Sequence, residues 1–294
     1  INFYHRMHYM RFFRAPLALL VFLFFFPSDL PASGLAVQPS TFLFRDIQIG
    51  QKVKLSVPLS IHNKDERTHT YTIKSLTPSR LVISRPEGYV EIPNTDWFSF
   101  DDKEVTIVGG KMGFTNMHIE IPGEDAYYNQ KWVIAVEVTS RVGAGESIAL
   151  AVYPRFLIET ENRKDITGRP SGKTGIRPGK LSLSFEQEKN KSYIEIYNND
   201  TISHTYIIRP FIPVSDVKQS LLQSPSPSYD WIPNIKWIVT SSDKVEIEAG
   251  MSRKIGINLA IPDNISVNPQ RWETLLFVTP DNGSPVFVRV YIEP

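Results

Sequence analysis

The chain has 294 residues, 41% of them apolar and 21% charged, with room for two domains of ordinary size. Lys plus Arg number 32 against 31 for Asp plus Glu, and a formal net charge of +1 excludes the strongly basic balance of a nucleic-acid or anionic-membrane binder. The absence of cysteine excludes disulfides, thiol catalysis, lipoprotein attachment and cysteine zinc sites, and 22 prolines leave little room for long helices.

The first element is a targeting segment. Arg11 and Arg14 precede "PLALLVFLFFF", and small residues follow in "PASGLA". That order is the basic, apolar and cleavage region of a secretory signal over residues 1–36, with translation starting at Met7 or Met10. The apolar run is about half the ~20 residues that a spanning helix needs, so no membrane span is expected in the mature chain unless the signal is left uncleaved.

Strand signals begin at once. In "VKLSVPLSIH" the residues Val53, Leu55, Val57, Leu59 and Ile61 alternate with polar or small ones, the period of two that marks a strand. "NKD" at 63–65 reads as a hairpin turn before "HTYTI". "VGGKMGF" at 108–114 reads as a turn with positive φ between two strands. The loop "IPGEDAYYNQKW", 121–132, then leads into the strand "KWVIAVEV". A first β-sandwich domain is expected over 37–155, with "RFLIE" able to extend its last strand. The Gly-, Pro- and Arg-rich residues 156–177 read as a linker or long loop.

The second half repeats the first. Trp132 and Trp272 are 140 residues apart, as are Trp97 and Trp237, Val105 and Val245, Gly110 and Gly250, and Ile92-Pro93-Asn94 and Ile232-Pro233-Asn234. Upstream, "IHNKDERTHTYTI" matches "IYNNDTISHTYII" at a step of 135, with the extra residues placed in "QSLLQSPSPSYD", 219–230. The fold expected is therefore all-β: two tandem immunoglobulin-like sandwiches from an internal duplication, the second over 178–294.

No chemistry stands out. His69 and His204 occupy the same place in both copies and read as strand-flanking corner residues; His62 could meet His69 across a hairpin, but the second copy has Tyr197 in its place, which disfavours a shared zinc site. There is no Gly-x-Ser-x-Gly elbow and no phosphate loop, and Asp101-Asp102 reads as a solvated turn. No catalytic residue, metal or cofactor is assigned. The sequons at Asn190, Asn199, Asn264 and Asn282 matter only in a glycosylating host.

The duplicated tryptophans Trp97, Trp132, Trp237 and Trp272 read as core anchors. Tyr127, Tyr128 and Trp231, which have no partner in the other copy, and Tyr229 beside Trp231 are the candidate binding residues, because loops at sandwich ends carry recognition.

The block order — turn "N-x-D", "HTY-x-I", "VTI/VEI…G", "I-x-IP" and "Q-K/R-W" — resembles bacterial sandwich domains related to major sperm protein, pilus chaperones and the peptidoglycan-binding domain of WxL surface proteins. The paired basic cleft residues and extended proline motif of pilus chaperones have no counterpart here. The resemblance implies an exported, non-enzymatic binding or scaffold module of the cell envelope, periplasmic or extracellular. Its expected partner is an envelope protein or cell-wall polymer, held through loops or sheet edges. The alternative is a periplasmic chaperone-like protein that assists assembly of surface structures by strand pairing.

Overall fold

The computed structural model describes residues 34–294 apart from 82–84, 141–148, 164, 167, 187–188, 214–224 and 263–270. Residues 1–33 of the expected signal segment, Met7 and Met10 among them, lie outside the described residues, as do Asn264 and the first part of the Ser- and Pro-rich stretch 219–230. Leu35 and Ala36, at the end of the expected signal segment, belong to a strand of the first sandwich.

Alternating side chains, frequent prolines and Asn or Gly turns give strands throughout. The first half opens with β1 (Leu35–Gln38), β2 (Thr41–Ile47), β3 (Lys52–Lys54), β4 (Leu59–Asn63) and β5 (His69–Leu76). Then come β6 (Val90–Glu91), β7 (Phe98–Phe100), β8 (Glu104–Ile107), β9 (Met112–Thr115) and β10 (Met117–Glu120). β11 (Lys131–Ser140), β12 (Ala151–Val152) and β13 (Arg155–Thr160) complete it. One layer is the sheet β2-β13-β11-β5-β8, with β6 and β12 also on β11; the facing layer is the two short sheets β1-β4-β9 and β3-β10-β7.

The second half has β14 (Thr174–Arg177), β15 (Lys180–Ser184), β16 (Lys191–Asn198), β17 (His204–Phe211) and β18 (Asp230–Trp231). β19 (Ile238–Thr240), β20 (Lys244–Ile247), β21 (Ser252–Leu259), β22 (Trp272–Pro280) and β23 (Val286–Glu293) follow. They form the sheets β14-β16-β21-β19 and β15-β23-β22-β17-β20, with β18 on β22. The protein is two tandem β-sandwiches, and no α-helix occurs among the described residues. No described helix is long and apolar enough to cross a membrane.

The duplication is exact at the level of register. Trp132 pairs with Ile158 on β13, and Trp272 pairs with Ile292 on β23. Asn94 and Asn234 each cap a 3-10 turn by accepting from the backbone N–H two residues on, Asp96 and Lys236. Asn63 and Asn198 are fully buried. The Asn63 amide donates to the carbonyls of Arg67 and Ile107, and Asn198 repeats this with Ile202 and Ile247.

That asparagine clamp corrects one expectation. The "NKD" turn is not a hairpin, because β4 and β5 lie in different sheets. It carries the chain across the sandwich, and the buried Asn satisfies carbonyls that the crossing leaves without ladder partners. The glycine turn 108–111 likewise crosses from β8 to β9, with Gly110 at φ 66 and its counterpart Gly250 at φ 70.

The connector is also shorter and better held than a linker over 156–177. β13 runs on to Thr160 within the first sandwich, and β14 starts at Thr174 within the second. Between them, Ser171 N donates to Ala126 O, and Arg169 reaches Asn199, the Asn198 carbonyl and the Met251 carbonyl.

The two sandwiches pack face to face. Along β11, Trp132, Ile134 and Val136 enter the first core while Val133 points the other way. Along β22 and β23, Leu276, Val278, Val288 and Val290 enter the second core while Leu275, Phe277 and Phe287 point back at Val133, Leu157 and Tyr89. Strands covered on both faces carry continuous apolar runs, hence "WVIAV" and "LLFV".

Candidate binding surfaces

The seam between the sandwiches holds an ionic cluster beside its apolar residues. Arg289 is fully buried and donates through Nε and Nη2 to Glu159 at 2.7–3.2 Å and through Nη1 to Glu273 at 2.5 Å. Tyr89 OH donates to the same Glu159 at 2.7 Å, and Ser226 N donates to Glu273 at 2.6 Å. Burial alone would raise the Glu159 pKa, but the Arg289 charge and hydrogen bonds outweigh it and hold the carboxyl at about 2. Burial and the Glu159 charge push Tyr89 upward, so it stays a donor. Parts of the cluster recur in the other copy, where Tyr229 donates to Glu293 as Tyr89 does to Glu159 and Arg155 corresponds to Arg289, whereas Glu273 has only Val133 opposite.

The four candidate aromatics occupy different settings. Tyr127 lies edge-on to Trp97 (4.9 Å) and Trp132 (5.9 Å), and its carbonyl accepts from Thr160 Oγ1; it helps close the end of the first core. Tyr128 is partly buried beneath the Arg163 guanidinium, 5.2 Å from its ring centre. Trp231 packs against the seam cluster, paired along β22 beside Glu273. Tyr229 lies 4.9 Å from Tyr291 and lines an open cleft of about 530 Å³ with Arg45, Lys180, Ser226 and Glu293. Burial and the Glu293 carboxylate, 2.6 Å away, push the Tyr229 hydroxyl up to about 12. Tyr127 and Tyr128 pack on the first core, whereas Trp231 lies at the seam and Tyr229 against Tyr291 of the second sandwich.

The anchors form one pair per copy, Trp97 with Trp132 at 5.7 Å and Trp237 with Trp272 at 5.5 Å. The corner histidines are held by acids: His69 by Asp65 at 2.9 Å, and His204 between Asp281 at 2.8 Å and Asp200 at 3.3 Å. Among the described residues no group of three metal-type ligands converges.

A further surface was not singled out from the sequence. β9 ends its sheet, with β4 on one side and no strand on the other among the described residues. Asn63 N donates to Lys111 O, so the hydrogen-bonded pairs run on through Gly113 and Thr115, and the N–H and C=O of Met112 and Phe114 point to the open side. Met112 and Phe114 are 48% and 57% exposed, and Val108 at the neighbouring turn is 60% exposed. The second copy has Glu248, Ser252 and Lys254 at these three positions. The large apolar residue exposed there is Met251, in the turn.

No protein-family model matches the chain. A human protein, Protein TASOR 2, is 25% identical over 174 residues, spanning 50% of this chain; the chain covers 7% of that protein's length. Similar solved structures include a PapD-like domain of human CEP192, 9% identical with a TM-score of 0.33, covering 54% of this chain and 97% of that one. The E. coli chaperone DraB is 9% identical with a TM-score of 0.32, covering 89% and 98%. A C. elegans member of the major sperm protein family is 10% identical with a TM-score of 0.26, covering 44% and 98%. These are sandwich domains of the kinds that the sequence blocks resemble. The edge of β9 and the seam are features of this chain's own residues.

Proposed function

We propose that the protein is an exported, non-enzymatic binding module of the cell envelope that takes an extended segment of a partner protein along β9. The observation that supports this most is the unequal treatment of one duplicated edge. An open edge invites pairing with another chain, and proteins guard edges with charged residues. Along this edge and its turn the second copy carries Glu248, Arg253 and Lys254, whereas the first carries Val108, Gly113 and Phe114. Backbone groups at Met112 and Phe114 would supply the ladder, and the two exposed side chains would pack on apolar residues spaced two apart in the partner. The strand pairing expected of a chaperone-like protein is the same chemistry at the same edge.

The test grafts the second copy's residues onto the first, Val108→Glu with Met112→Ser and Phe114→Lys, and measures binding of an eight-residue peptide of alternating valine and threonine. The unmodified protein should bind it and the triple variant should lose at least ~10-fold in affinity, about 1.4 kcal/mol. Equal binding by both proteins would sink the proposal, and so would peptide-independent dimerisation through β9 in sedimentation, which would make a second copy the occupant.

A further inference from the structure

A second cavity, of about 340 Å³, opens along the seam and is lined by Lys131, Arg85, Val90, Phe287 and Ser284 among others. Its cations differ in how they are matched. His204 lies between Asp200 and Asp281, and Lys173 bonds Asp200 at 3.0 Å. Lys131 is buried, yet among the described residues no carboxylate lies within 4 Å of its ammonium. Its hydrogen bond is a long one, 3.4 Å to the Gly179 carbonyl, and its Nζ sits 4.6 Å from the centre of the Phe287 ring.

The nearby acids are engaged elsewhere. Glu159 and Glu273 are both taken by Arg289. Glu91, in the cavity wall, accepts from the backbone N–H and hydroxyl of Ser79. A buried ammonium without an adjoining anion is costly, and burial accordingly pulls the Lys131 pKa down to about 8. The corresponding residue in the second copy, Arg271, is exposed. The unpaired cation therefore belongs to the cavity.

We propose that this seam cavity binds a small monocarboxylate with an apolar body, its carboxylate set against Lys131 Nζ with Arg85 at the mouth. One ammonium and one guanidinium match a single negative charge. Val90, Val286, Phe287 and Ile176 offer an apolar wall to the rest of the molecule. A volume of about 340 Å³ lies at the small end of ligand sites. Such a ligand would supply the neighbour that the ammonium lacks, and the Ser284 hydroxyl, already 3.4 Å from Arg85, would help hold the mouth.

The test is titration calorimetry with benzoate, hexanoate and inorganic phosphate on the full chain, its Lys131→Met variant and its Arg85→Gln variant. The unmodified protein should bind benzoate or hexanoate saturably, more tightly than phosphate. Lys131→Met should lose at least ~10-fold and Arg85→Gln should lose several-fold; the latter, on an exposed side chain, serves if the former fails to fold. No saturable carboxylate binding up to about 10 mM, below which even fragment-sized ligands register, would overturn the proposal. Unchanged affinity in a folded Lys131→Met or Arg85→Gln variant, or a preference for phosphate, would overturn it as well. The β9 triple variant should bind benzoate normally, so failure here and failure at the edge are separable.

Discussion

Arg289 donates to Glu159 and Glu273 from inside the seam, and taking away the guanidinium strands two buried carboxylates. Removing one partner of a buried pair costs about 3–5 kcal/mol, so Arg289→Met should lower the urea midpoint sharply. Exchange of a paired surface residue such as Lys189→Met, whose partner Glu186 is solvated, should shift it by less than ~1 kcal/mol. The pH profile should follow from two shifted groups. Glu159 titrates near 2 against an ordinary 4.5, so its contribution is fully present above about 4.5 and lost as pH falls toward 2. Lys131 titrates near 8 against 10.5, so between those values the unfolded chain holds a proton that the native protein has released, and stability rises with pH across that window. Urea midpoints measured from pH 2 to 10 should show both arms. Glu159→Gln should flatten the acid arm and Lys131→Met the alkaline one; arms that persist in those variants would assign the effect to other groups. Asn63, Asn198 and the two "HTY" blocks were legible in the sequence because they recur. The seam cluster was not: Arg289 corresponds to Arg155, Glu273 has only Val133 opposite, and a charge within a strand pattern looks like any solvent-facing residue.

The alternation in "VKLSVPLSIH" was legible, but the one strand it suggests is two, β3 ending at Lys54 and β4 starting at Leu59, and they lie in different sheets. What periodicity does not carry is which sheet a strand joins. β4 and β5 alternate as the arms of a hairpin would, yet Asn63 turns the chain from one layer into the other. Asn63→Ala would leave the Ile107 carbonyl without its donor inside the core and the Arg67 carbonyl without its own, at about 1–3 kcal/mol for each buried group lost. Asn198→Ala should behave alike, and matching losses in chemical denaturation would show that the clamp works the same way in both copies. The β9 edge was hidden for another reason. Met112 and Phe114 read as part of the turn 108–114 until the structure shows both exposed on an edge strand. Comparison with Ser252 and Lys254, already aligned by the 140-residue step, was the signal available in advance.

At the scale of the whole molecule, the seam makes the two sandwiches mutually dependent. Leu275, Phe277 and Phe287 of the second half are buried only because Val133, Leu157 and Tyr89 of the first cover them. The full chain should therefore unfold in one cooperative transition, and a fragment of residues 171–294, which keeps β14, should bind a hydrophobic dye and lose stability relative to its share of the whole. Two separate transitions with no dye binding by the fragment would show independent domains. The runs "WVIAV" and "LLFV" are buried on both faces, and what covers the second face comes only from the pairing of the copies. With the inner faces spent on the seam, the outer edges are left for partners, and the two copies' corresponding edges differ in their charge. Amide hydrogen exchange with and without the alternating valine–threonine peptide tests this most directly. The account predicts that the peptide protects the N–H groups of Met112 and Phe114 and leaves those of Ser252 and Lys254 unchanged. Equal protection of both edges, or of neither, would contradict it.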